Sequence, residues 1–154
     1  MHATARVIWQ RNGQAFVDNR YSRGHEWAFD GGVCVPASSS PALVREPLSV
    51  AEAVDPEEAL VAATASCHML WFLSLAAQQG ILVERYEDHP SCSTGKNSRG
   101  FDQVTAIVLK PRIEFGGKAA PSREEVESLH RQAHERCMIA NSLRADVVVE
   151  AHAA

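Results

Sequence analysis

Residues 55–80 carry a complete set of helix instructions. Asp55 is a good N-cap, Pro56 falls at the first helical position, where its missing N–H is no loss, and Glu57 and Glu58 face the positive end of the helix dipole. Good helix formers then run to Gln79, and Gly80 can take the left-handed conformation that closes a helix. Between Leu60 and Ala77 this predicted helix is apolar on most of its circumference, broken only by Thr64, Ser66, His68 and Ser74. A helix apolar all round is expected to be enclosed by other protein, and a membrane span would want ~20 residues with fewer polar breaks. The rest of the chain has to be arranged around it.

The flanking segments alternate with period two. Thr4 to Gln10 reads as a strand, Asn12-Gly13 as a tight turn, and Ala15-Phe16-Val17 as the returning strand of a hairpin. His25 to Phe29 reads as a further strand, Asp30-Gly31-Gly32 as a turn, and Val33-Cys34-Val35 as extended chain. Pro36 to Val54, with three prolines and four serines, is a connector. Beyond the helix, Ile81 to Tyr86 predicts a strand, His89 to Gly100 a polar loop, and Val104 to Phe115 one long strand. After a turn at 116–121, Ser122-Arg123-Glu124-Glu125 is a capping box that opens a second helix through Cys137, and Ala145 to Val149 is a last strand. Strands, helix, strands, helix, strand is an α+β order, and 154 residues suit a single domain over 1–154.

Fifteen Lys and Arg against nineteen Asp and Glu give a net charge of -4, which argues against nucleic acid or an anionic membrane as partner. Met1 to Arg6 lacks a basic stretch leading into an apolar core, so a cytoplasmic address is expected. The cysteines (Cys34, Cys67, Cys92, Cys137) are far apart and form no C-x-x-C pair. In a reducing compartment they are expected to be free, catalytic or metal-binding rather than a disulfide framework.

Cys67 falls in the middle of the first helix and Cys137 near the end of the second, so the two meet if those helices pack together. A thiol that attacks a peroxide becomes a sulfenic acid, and a second thiol nearby closes a disulfide. The attacking thiol needs a lowered pKa, which a guanidinium supplies, and a carboxylate can hold that guanidinium in a bidentate pair. Glu57 is a candidate, but ten helical residues place it ~15 Å from Cys67 along the axis. A shared site then needs a bent helix or a carboxylate from a second subunit, and the second is favoured. Cys34 reads as strand packing, and Cys92 as an exposed thiol without an activating partner.

Val54-Asp55-Pro56-Glu57-Glu58-Ala59-Leu60, followed by Ala65-Ser66-Cys67-His68-Met69-Leu70, resembles the central-helix motif of the OsmC/Ohr family. Cys137-Met138-Ile139-Ala140-Asn141-Ser142 is similar to that family's second cysteine motif, with Met138 where a proline is common. Tyr21 to Gly32 resembles an OsmC-like branch, and Gln10 to Ala15 resembles the Ohr turn that carries an arginine. The resemblance implies antiparallel sheets packed around a long central helix in an intertwined homodimer. It also implies a thiol-dependent peroxidase acting on organic hydroperoxides without metal or other cofactor. In it Cys67 is the attacking thiol, Cys137 the resolving thiol and Glu57 the partner of a catalytic arginine, either Arg11 or Arg23. The implied electron donor is a small dithiol or lipoyl-type reductant.

A competing reading stays open. His130, His134 and Cys137 recur at i, i+4 and i+7 on one helix face, and with Cys67 or His68 they suit a tetrahedral zinc or a ligand in a non-catalytic protein.

Overall fold

The computed structural model describes residues 1–117 and 119–150. They fall into two compact units, Met1–Ala59 and a second beginning at Leu60.

In the first unit, β1 (Ala5–Ile8), β2 (His25–Phe29) and β3 (Cys34–Ala37) form an antiparallel sheet in that order. The expected hairpin after Asn12-Gly13 does not form. The turn itself is present, with Asn12 at φ 48° and Gly13 at φ 77°, but β1 pairs with the distant β2 in the register Ala5↔Phe29. Residues 15–17 stay irregular, because Phe16 packs instead into an aromatic cluster, 5.5 Å from Trp9 and 4.7 Å from Tyr21 between ring centroids. The Gly31-Gly32 turn is as expected, with Gly32 at φ 85° and its N–H donating to Phe29 O.

Helix α1 (Pro56–Gln78) is continuous, without the break considered for it. Its start is a reciprocal cap: Asp55 Oδ1 accepts from Glu58 N at 2.7 Å while Glu58 Oε2 accepts from Asp55 N at 3.0 Å. Its end is a Schellman arrangement on Gly80 (φ 71°), with Ile81 N donating to Ala76 O and Gly80 N to Ala77 O.

In the second unit β4 (Val83–Asp88) pairs with β7 (Pro111–Phe115), and β5 (Ser91–Lys96), β6 (Asp102–Leu109) and β8 (Asp146–Val149) form a second sheet. Three sequence expectations are corrected here. The polar loop at 89–100 contains strand β5, paired with β6. The single strand over 104–115 is two, because Pro111 has no N–H to give and Lys110 N is taken by Asp88 Oδ1 at 2.6 Å. The sheets are not wholly antiparallel, since β8 runs parallel to β6.

Helix α2 (Arg123–Arg136) begins with the expected capping box, and Cys137 both ends it and caps the short α3 (Met138–Ser142). Two apolar clusters hold this unit. Phe72, Leu75 and Ala76 of α1 pack with Ile113, Leu129 and Ala133, and Ala65 packs with Ile107 and Leu109. Elsewhere on α1 apolar side chains are open: Leu70 and Trp71 are 63% and 38% exposed among the described residues. The helix is long and apolar enough to cross a membrane by composition alone, yet Phe72 and Ala76 in its apolar stretch are buried in the core.

Candidate functional site

In the second unit the Cys67 side chain of α1 is a hydrogen-bonding neighbour of Cys137 at the end of α2. Cys67 is half-buried, Cys137 is 1% exposed, and both are free thiols. Cys137 Sγ accepts a hydrogen bond from Ala140 N at 3.4 Å, which follows from its position as the N-cap of α3. Burial pushes the Cys137 thiol up to about 11, against the lowering effect of the Ala140 N–H, and the neighbouring Cys67 side chain pushes it further.

One residue along α1, His68 reaches α2. Its Nε2 lies 3.0 Å from His130 Nδ1 and the two rings stack with an 8° interplanar angle. Burial holds the pKa of each near 4, and the proximity of His130 and His134 lowers that of His68 further. Both imidazoles are therefore neutral at pH 7. His68 Nδ1, His130 Nε2 and His134 Nδ1 are buried without a hydrogen-bond partner. The i, i+4, i+7 face read from the sequence thus exists and points at α1. Among the described residues, however, no three His, Cys, Asp or Glu are disposed to hold a metal ion.

The two candidate arginines are placed differently in the first unit. Arg23 and Glu57 line one cavity of about 420 Å3, together with Trp9, Tyr21, His25 and Leu43. Arg23 lies 3.9 Å above the Tyr21 ring and donates to Asn19 Oδ1 at 2.8 Å, to Asn19 O at 3.1 Å and to Tyr21 O. Arg11 is exposed and folds back on its own turn, donating to Gln14 O at 2.7 Å. The bidentate arginine–carboxylate pair expected from the sequence is not made: the Arg23 guanidinium is spent on loop oxygens, and Glu57 Oε2 is buried without a partner.

Cys34 is exposed on β3, and Cys92 is not the exposed loop thiol expected, because β5 turns it half-buried towards Ile107 and Leu109. Two residues escaped the sequence reading. Tyr86 and Asp88 line a cavity of about 270 Å3 beside Ser66 of α1, with Tyr86 Oη and Asp88 Oδ2 buried and unpartnered. Burial first, and then the Asp88 carboxylate, pushes the Tyr86 phenol above its ordinary range, and burial raises Asp88. Both sit in a strand with no motif around them.

Residues 49–152 match the family model described as OsmC-like protein. The chain belongs to the OsmC-like family. An OsmC-like protein of unknown function from Vibrio cholerae is similar over 99% of each chain, with 50% identity and a TM-score of 0.96. The α+β fold of this OsmC-like protein is shared by the organic hydroperoxide resistance protein OsmC from Legionella pneumophila (19% identity, TM-score 0.70, 98% of this chain and 95% of that one). It is shared too by the organic hydroperoxide resistance protein OhrB of Bacillus subtilis (20% identity, TM-score 0.70, 99% and 98%). No match is found among curated proteins.

Proposed function

We propose that this OsmC-like protein is a thiol-dependent peroxidase that reduces organic hydroperoxides, with Cys67 attacking and Cys137 resolving. The asymmetry of the two neighbouring thiols carries the reading. Cys137 is sealed from solvent and its pKa of about 11 keeps it a thiol, so it cannot serve as the attacking thiolate at neutral pH. Cys67 is the one a substrate can reach. The Cys67 thiolate takes the distal oxygen of the hydroperoxide, the O–O bond breaks, and the alkoxide leaves as an alcohol after gaining a proton. Cys137 then displaces hydroxide from the Cys67 sulfenic acid; its own proton completes the water released, and a disulfide remains. An external dithiol of the small or lipoyl type returns both thiols.

Arg23 is the arginine of choice over Arg11, because it shares a cavity with Glu57 whose walls (Trp9, Tyr21, Leu43) suit an apolar alkyl or aryl group. The continuous α1 keeps Glu57 far along the helix from Cys67, so the proposed active unit is a homodimer in which a second copy supplies Arg23 and Glu57. The open face at Leu70 and Trp71 is what such a partner would cover. The proposed setting is the reducing cytoplasm, where free thiols persist.

The test is turnover of cumene hydroperoxide with a dithiol. Cys67→Ser should abolish it, whereas Cys137→Ser should keep a single stoichiometric oxidation. Full turnover in Cys67→Ser would sink the proposal.

A further inference from the structure

The segment from Tyr21 to Trp27 contains one side chain that the peroxidase cycle leaves without a task. His25 opens β2 and, with Arg23 and Glu57, lines the cavity of about 420 Å3. Both of its ring nitrogens are engaged. Nε2 lies 3.0 Å from Trp27 Nε1, two residues along the same face of β2, and Nδ1 lies 2.7 Å from Arg23 O. These partners leave no choice of tautomer. An indole N–H only donates, so Nε2 is the bare nitrogen that accepts it; a carbonyl oxygen only accepts, so Nδ1 carries the proton. The hydrogen bonds therefore run in one direction, from Trp27 through His25 to Arg23, and only a neutral ring completes them.

What this chain of bonds ends on is the backbone of Arg23. The peptide before Arg23 is held at both ends: Arg23 N donates to Leu48 O at 2.7 Å, and Ser22 O accepts from Trp9 Nε1 at 2.9 Å. The peptide after it leads into Gly24, the residue whose backbone is least restricted by its own chemistry. Gly24 N donates to Ser22 Oγ at 3.1 Å, and His25 Nδ1–H holds the carbonyl. Without His25 that carbonyl loses its donor next to a glycine, and the Arg23 main chain is free to turn on this side. With it, the residue is fixed on both sides of its Cα, and the guanidinium moves only about its own side-chain torsions.

We propose that His25 is a positioning residue for Arg23: locked by Trp27 in its Nδ1–H form, it fixes the Arg23–Gly24 peptide and so sets the point from which the guanidinium reaches. His25 touches no reacting atom and acts through Arg23 alone. The proposal rests on the peroxidase reading, in which Arg23 is the arginine used, and deepens it by assigning the residue that holds that arginine in register. Preorganised charge is effective only where its geometry is held, which is what such a support supplies.

Long-range 1H–15N spectra of the unsubstituted protein at pH 8 should show His25 with a protonated Nδ1 and a bare Nε2. His25→Phe removes both hydrogen bonds, whereas His25→Asn still places an N–H donor where Nδ1 stood. The Arg23 Nε–H resonance should therefore move in His25→Phe and stay near its place in His25→Asn, a comparison that needs no turnover. In single-turnover oxidation of Cys67 by cumene hydroperoxide, the rate constant should fall ~10-fold in His25→Phe and recover to within ~3-fold in His25→Asn. Both variants are expected to keep their circular dichroism spectra, and the tautomer is read without any variant. No oxidation of Cys67 in the unsubstituted protein overturns the peroxidase reading. A proton on His25 Nε2, an Arg23 resonance unmoved in His25→Phe, an undiminished rate in that variant, or a rate equally low in His25→Asn would each overturn the role of His25.

Discussion

Lowering the pH should unfold this protein through two imidazoles well before its carboxylates are protonated. His68 and His130 are held near 4 by burial, against an ordinary value of 6.5. In both the folded-state value is the depressed one, so the unfolded chain binds more protons and stability falls as pH drops from about 6.5 towards 4. At pH 7.5 neither form is protonated and the contribution is intact. At pH 5 the unfolded imidazole is charged and the folded one is not, a loss of about 2 kcal/mol each, or about 4 kcal/mol for the pair. Against a typical total of about 5–15 kcal/mol that is a large fraction. Asp88 acts in the opposite direction, because its carboxyl, raised by burial, lets the folded chain take up a proton earlier than the unfolded one as the pH falls. Urea unfolding at pH 7.5 and pH 5 measures the difference, and NMR titration of the two rings assigns it. A stability that is flat between these pH values, together with either ring titrating near 6.5, would refute the reasoning.

Asp55→Ala removes the oxygen that accepts from Glu58 N and should cost about 1 kcal/mol in urea unfolding, with no change in the m-value. Arg23→Gln should lower hydroperoxide turnover by ~100-fold, as loss of a positioned charge does, while Arg11→Gln should stay within about twofold. With its thiol near 11, only ~0.1% of Cys137 is ionised at pH 8. Timed iodoacetamide labelling read by mass spectrometry should therefore modify Cys67 and Cys34 long before Cys137.

The parts legible in the sequence are those set by near neighbours. The caps at Asp55, Gly80 and Ser122 are local chemistry, and the structure forms all three. The strands that were missed lack a local signature. Ser91 to Lys96 is polar enough to read as loop, and becomes β5 only because the β6 backbone offers it partners. Asn12-Gly13 does turn the chain, but what pairs with β1 is settled by the distant β2. The parallel pairing of β8 with β6 likewise depends on residues some forty positions apart. The candidate site divides in the same way. The face carrying His130, His134 and Cys137 follows from helical period, whereas the bond from His68 to His130 requires two helices to cross at one register. Arg23 could be nominated by motif, but its attachment to Asn19 and Tyr21 in place of Glu57 is a matter of loop geometry.

The pairing of Cys67 with Cys137 is tested most directly by peptide mapping after one equivalent of cumene hydroperoxide. The expected product has lost two thiols per chain and contains one intrachain Cys67–Cys137 disulfide, with Cys34 and Cys92 still alkylatable after unfolding. A Cys67 that stops at sulfenic acid beside an untouched Cys137, or a disulfide formed through Cys34 or Cys92, would contradict it.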